Sequence, residues 1–121
     1  MRLRALRGAI TVESNEADAI LAATDELMRA VIDRNELAIA DMVSCIFTAT
    51  GDLDAEFPAV AARRLGMSSV PLLCAREIAV PGSLPRTIRL MLHCYADVER
   101  PAQHIYLRKA EALRRDLEGA Q

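Results

Sequence analysis

The hydrophobic pattern changes period several times along the chain, and each change predicts an element. Leu3 to Val12 (LRALRGAITV) is β-prone, with Leu3, Ala5 and Arg7 on one period-2 face. Gly8 in its middle marks a bulge or a close approach of another segment. Ala17, Ile20, Leu21, Thr24, Leu27, Met28 and Val31 then form a single helical stripe. They predict an amphipathic helix to about Arg34, with Ser14-Asn15 as N-cap, Glu16 and Asp18 in the first turn and Asn35 as its stop. Met42 to Thr50 (MVSCIFTAT) is nearly all apolar, which predicts a strand covered on both faces. A loop from Gly51 to Glu56 leads into a short helix that begins at Pro58 and stops at Gly66. Val70 to Val80 reads as a strand, Pro81-Gly82-Ser83 as a turn and Thr87 to Ala96 as the next strand. Beyond Pro101 the last strand runs from His104 to Lys109, and Ala110 to Gln121 has helical propensity and several charges. The order β-α-β-α-β-β-β, with no repeat or linker, predicts an α/β or α+β fold: a single mixed sheet of about five strands with two helices packed on it.

Composition narrows the function classes. The chain has 121 residues, enough for one modest core, and residues 1–121 are expected to form a single domain. It is 52% hydrophobic and 26% charged, with a net charge of −2, so it lacks the basic patch that nucleic-acid binding usually needs. No apolar run reaches the length of a membrane span and the N-terminus has no signal-peptide core, so a cytoplasmic location is expected. Cys45, Cys74 and Cys94 are widely spaced in apolar surroundings, which predicts reduced core thiols rather than disulfides or a metal site. His93 and His104 have no ligand partner at a useful spacing. The aromatics are Phe47, Phe57, Tyr95 and Tyr106 alone, so the core must be aliphatic, and further burial against copies of the same chain would add stability.

Within this plan a few polar residues stand where burial is expected. Arg7 lies mid-strand in the first strand, Arg89 mid-strand in the fourth, Glu77 in the third and Tyr106 in the last. Arg63 lies on the short helix, one turn beyond Ala59. A guanidinium keeps its charge, so an enclosed Arg89 needs an acid within the protein or an anion from outside. Taken singly, the arginines fit edge-strand charges facing solvent, Glu77 fits their neutralisation, and Tyr106 fits a core aromatic. Taken together they fit a small dianion that bears a hydroxyl. The sequence offers no nucleophile–base pair, metal cluster or phosphate-cradling glycine loop. Such a site can still catalyse a unimolecular reaction through shape and charge.

Several blocks, in order, carry a resemblance. They are Arg7 to Glu13 (RGAITVE), Thr48 to Leu53 (TATGDL) followed by Phe57-Pro58-Ala59, Val70-Pro71 with Cys74 and Glu77, Gly82 with Leu84 and Ile88-Arg89, His104 to Leu107 (HIYL), and Leu113-Arg114. With these the chain resembles the monofunctional AroH-class chorismate mutases from Arg4 to about Leu117. The resemblance implies a homotrimer forming a pseudo-α/β barrel, with active sites at subunit interfaces, chorismate as substrate, and no cofactor or metal. It implies that Arg7 and Tyr106 hold a carboxylate and that Arg89 meets the ether oxygen. Glu77, with Cys74 and the backbone of Leu73, Ala75 and Arg76, would receive the ring hydroxyl. Phe57, Ala59 and Arg63 would come from the neighbouring subunit, and Leu113 and Arg114 would close from a mobile tail, Ala110 to Gln121.

The chain also departs from the family pattern. Val60 stands where many members carry lysine, the loop Gly66 to Ser69 is one residue shorter than in some, and Arg115 replaces a frequent proline. Two rivals share the architecture, a non-catalytic trimeric small-molecule-binding protein and an ACT-like regulatory module. Both leave the mid-strand arginines without a purpose.

Overall fold

The computed structural model describes residues 1–114. Its strands are β1 (Arg2–Thr11), β2 (Met42–Ala49), β3 (Leu72–Arg76), β4 (Thr87–Ala96) and β5 (Ile105–Leu107), and its two helices are α1 (Ala17–Asn35) and α2 (Ala59–Arg64). They form one five-stranded mixed sheet in the order β3-β2-β4-β1-β5. The three long central strands pair antiparallel, whereas the short edges β3 and β5 add in parallel to β2 and β1.

Both helices pack on one face. Leu6 and Ile10 of β1, Phe47 of β2 and Ile88, Leu90 and Leu92 of β4 meet Ile20, Leu27, Met28 and Val31 of α1 and Ala59 and Ala62 of α2 in one core. Gly8 sits where α1 crosses β1. A β-carbon there would lie 3.2 Å from Leu27 Cδ1 and 3.3 Å from Leu90 Cγ, so the glycine permits close helix–sheet contact. The β1–β4 register runs without a shift, so no bulge forms at Gly8. Gly66, at φ 103°, ends the α2 turn as its position predicts.

Four sequence expectations are corrected. The N-cap of α1 is Glu16 without a side-chain cap, because the Asn15 amide is bonded to the loop at Asp54 and Ala55 instead. β2 is covered on one face only, which leaves Val43 and Ile46 exposed. β3 ends at Arg76 rather than Val80, since β2 itself ends at Ala49 and offers no further partners. Glu77 therefore lies just beyond the strand, held by its N–H to the Ala49 carbonyl at 3.0 Å. β5 is likewise trimmed to three residues. Ala110 is buried and residues 111–114 form a helical turn, while the remainder of the expected tail, including Arg115, falls outside the described residues. No described helix is long and apolar enough to cross a membrane.

Candidate active site

The face without helices gathers the polar residues. Register places Arg89 of β4 opposite Thr48 of β2 and Ala9 of β1, and Ala9 opposite Tyr106 of β5. Two residues along β1, Arg7 lies opposite Met91, which faces Ile46 in β2. A recess of ≈170 Å³ opens here, lined by Arg7, Gly8, Ile46, Thr48, Arg89, Leu90, Met91 and Tyr106.

Charge in the recess is only partly balanced. Arg89 forms an ion pair with Glu77, their side chains being 30% and 12% exposed. The other Glu77 oxygen accepts the Thr48 hydroxyl at 2.7 Å. Of the two options left open by the sequence, Arg89 thus has an acid within the chain, and it is partly exposed rather than enclosed. Burial lowers its guanidinium from the usual value, and the nearby Arg7 cation lowers it further against an opposing effect of Tyr106. It nonetheless stays charged at any ordinary pH. The Arg7 guanidinium has no ion pair among the described residues. Its backbone N–H donates to His104 Nδ1 at 3.0 Å, which requires a neutral imidazole. Burial, and then the Arg7 charge, push the His104 pKa down in the same sense. The Tyr106 hydroxyl is buried with no hydrogen-bond partner among the described residues. Such a group costs free energy until something bonds it. Two cations and an unused hydroxyl thus face one small space.

The other expected residues lie apart from this recess. Cys74 turns toward the core, and with Ala75, Arg76 and Phe57 it lines a second, larger recess of ≈330 Å³ beside the 53–58 loop. Leu73 is exposed, Arg63 is exposed on α2 while Ala59 is buried, and Leu113 and Arg114 lie in the helical turn at 111–114. All three thiols are free, and burial, with the neighbouring Cys74 adding to it, pushes Cys45 up to about 12, which makes that group inert. Among the described residues no three His, Cys, Asp or Glu side chains converge as metal ligands.

A family profile described as "Chorismate mutase type I" matches residues 3–117. The chain belongs to the type I chorismate mutase family. It is 48% identical to "Chorismate mutase AroH" of Thermus thermophilus over 121 residues, spanning 98% of this chain and 99% of that one. It is 40% identical to "Chorismate mutase AroH" of Bacillus subtilis (strain 168) over 119 residues, spanning 97% and 94%. The solved structure "Chorismate mutase from Clostridium thermocellum Cth-682" superposes with a TM-score of 0.87 at 45% identity, covering 90% of this chain and 98% of that one.

In this chorismate mutase chain, sequence reasoning named Arg7, Arg89, Tyr106 and Glu77, and put Met91 on the face of Arg89, but did not bring Thr48 or Ile46 beside them. Met91 was visible as the residue two beyond Arg89 on the same face. Thr48 required the β2–β4 register, which joins segments about forty residues apart. Also unforeseen was a Ser44 Oγ···His93 Nδ1 contact of 3.2 Å farther along β2 and β4. No acid pairs with His93 among the described residues, so the orienting third member of a catalytic triad is missing there.

Proposed function

We propose that this chain works as a chorismate mutase, an intramolecular isomerase of aromatic amino-acid biosynthesis that converts chorismate to prephenate. The observation that carries the reading is the unpartnered Tyr106 hydroxyl beside the Arg7 and Arg89 guanidiniums. A dicarboxylate with an ether oxygen and a ring hydroxyl supplies what these groups lack. The reaction is a [3,3]-sigmatropic rearrangement, so it needs no nucleophile, proton transfer or electron carrier. Its barrier falls when the substrate is held in the folded conformer that brings the two reacting carbons together. It falls again when negative charge growing on the departing ether oxygen meets a fixed cation, an interaction stronger in the transition state than before it. Arg89 is assigned that role, held in place by Glu77 and Thr48. Arg7 and Tyr106 bind a carboxylate, and Glu77, with Cys74 and the backbone from Leu73 to Arg76, receives the ring hydroxyl.

The active unit is proposed to be a cytoplasmic homotrimer forming a pseudo-barrel, each site completed by Phe57, Ala59 and Arg63 of a neighbour and closed by Leu113 and Arg114. Two features support this. The recess of ≈170 Å³ is smaller than the roughly 300–1,000 Å³ of a usual ligand pocket, as a site lacking one wall would be. The open sheet face exposes Leu3, Ile46, Leu73 and Tyr95, apolar area suited to a second copy. The test is to follow the loss of chorismate absorbance and identify the product after acid converts prephenate to phenylpyruvate. Turnover that disappears in Arg89→Ala is expected. Without turnover, tight binding of a bicyclic transition-state analogue would locate the fault in closure, and its absence would overturn the assignment.

A further inference from the structure

The segment from Gly51 to Pro58 has no regular secondary structure, yet it is gripped from two sides. Asn15 accepts the N–H groups of Asp54 and Ala55 on Oδ1 at 3.0 and 3.1 Å, and its Nδ2 donates to Asp54 Oδ1 at 2.8 Å. Three of the four hydrogen bonds this side chain can make go to this loop. The cost falls on α1, whose N-terminus is left without a side-chain cap although a favoured capping residue stands one position away. On the other side, the Asp52 carboxylate accepts the Arg86 N–H at 3.0 and 3.2 Å and also takes the Thr50 hydroxyl. Burial pushes this carboxyl up, but the bonds from Thr50 and the Arg86 backbone outweigh it and hold the group below its ordinary range. Arg86 has a left-handed φ of 45°, a strained geometry for a long side chain, and its Nε donates to the Val12 carbonyl at 3.0 Å. Between the two grips Leu53 is inserted into the core.

The result is a stiff arm ending in Phe57, which is 65% exposed, and leading directly into α2 and Arg63. A loop that needed only to connect β2 with α2 would not need three anchors. We infer that Asp52 and Asn15 are positioning residues for the half-site that this chain donates to its neighbour, fixing Phe57 and Arg63 before a second subunit arrives. The inference rests on the shared-site reading given above. Pre-ordering matters because every residue that has to be ordered on binding weakens the interaction that orders it.

The rival is that Asp52 acts within its own chain, since Arg86 is only three residues from Arg89. Mixed trimers separate the two. Asp52→Asn preserves shape while removing the charge, and it should lower kcat/KM by roughly 10- to 100-fold, as misplaced positioning groups do. Its melting temperature and trimer mass should stay close to wild type. Co-assembled one-to-one with Arg89→Ala, whose donated arm is intact, it should regain activity in about one site in four, the share that combines a sound receiving half with a sound arm. Co-assembled with Arg63→Ala it should regain none, because both chains then donate a faulty arm. Asn15→Asp, which sets a second carboxylate against Asp54, should give the same pattern and serves if Asp52→Asn folds poorly. Arg63→Ala with Arg89→Ala is the control. If the control recovers and Asp52→Asn is rescued by Arg63→Ala, or by neither, the arm assignment is overturned while shared sites stand. If the control itself fails to recover under demonstrated subunit exchange, shared sites are wrong and the arm assignment falls with them.

Discussion

On the helix-covered side of the sheet, Leu6, Ile10, Phe47, Ile88 and Leu92 are wholly enclosed, and each is explained by the neighbours it touches. On the opposite side, Arg7 has no acidic partner among the described residues, the Tyr106 hydroxyl has no hydrogen bond, and Leu3, Ile46 and Leu73 are exposed. The same strands supply both faces. Ile88 and Arg89 are adjacent in sequence, yet one serves the core and the other the recess, because strand side chains alternate. Stability and chemistry are therefore separated by one residue, and substitutions on the two faces should have different signatures.

The largest effect should come from the core face. Phe47→Ala removes a fully buried ring and should cost about 3–5 kcal/mol in urea unfolding, a large share of the roughly 5–15 kcal/mol of a whole domain. A loss under about 1 kcal/mol would mean that the core collapses around the gap. Arg89→Lys on the other face should reverse the pattern. Turnover should drop by about 10²–10³, the usual cost of one transition-state donor, with little change in melting temperature. Unchanged kcat would remove Arg89 from the proposed role.

Smaller effects test how the face is wired. Glu77→Gln keeps an acceptor for Thr48 but leaves the Arg89 guanidinium without its counter-ion and still beside the Arg7 charge. Because the pair is partly exposed, the stability loss should be about 1–2 kcal/mol, below the cost of breaking a fully buried pair. Part of the activity should survive, and complete loss would show that the negative charge is itself required. Tyr106→Phe should be gentlest to the fold. Deleting an unbonded buried hydroxyl should leave the melting temperature unchanged or raise it, while KM for chorismate increases. A lower melting temperature with unchanged KM would mark the hydroxyl as structural.

Much of the fold was legible because it depends on local periodicity. The α1 stripe, both turn glycines and the alternation that puts Arg7 and Arg89 on a common kind of face all follow from spacing within one element. What failed was non-local. The apolar alternation of Glu77 to Val80 looks like strand, but whether it forms one depends on β2, which stops at Ala49. Asn15 looks like a cap, and only the arrival of Asp54 and Ala55 reassigns its amide. The continuous apolarity of β2 implies cover on both sides, while one chain supplies cover on one. In the site, the pairing of Arg89 with Glu77 and Thr48 depends on which strands are neighbours, and the sheet order β3-β2-β4-β1-β5 cannot be read from any short window.

That order also has a consequence in time. β1 is synthesised well before its neighbours β4 and β5, and the bond from Arg7 to His104 spans 97 positions. Contacts of such sequence separation close slowly and only after most of the chain exists. A nascent or truncated chain therefore carries Arg7 with nothing opposite it. The recess comes into being late in folding, when β1 and β5 lie side by side.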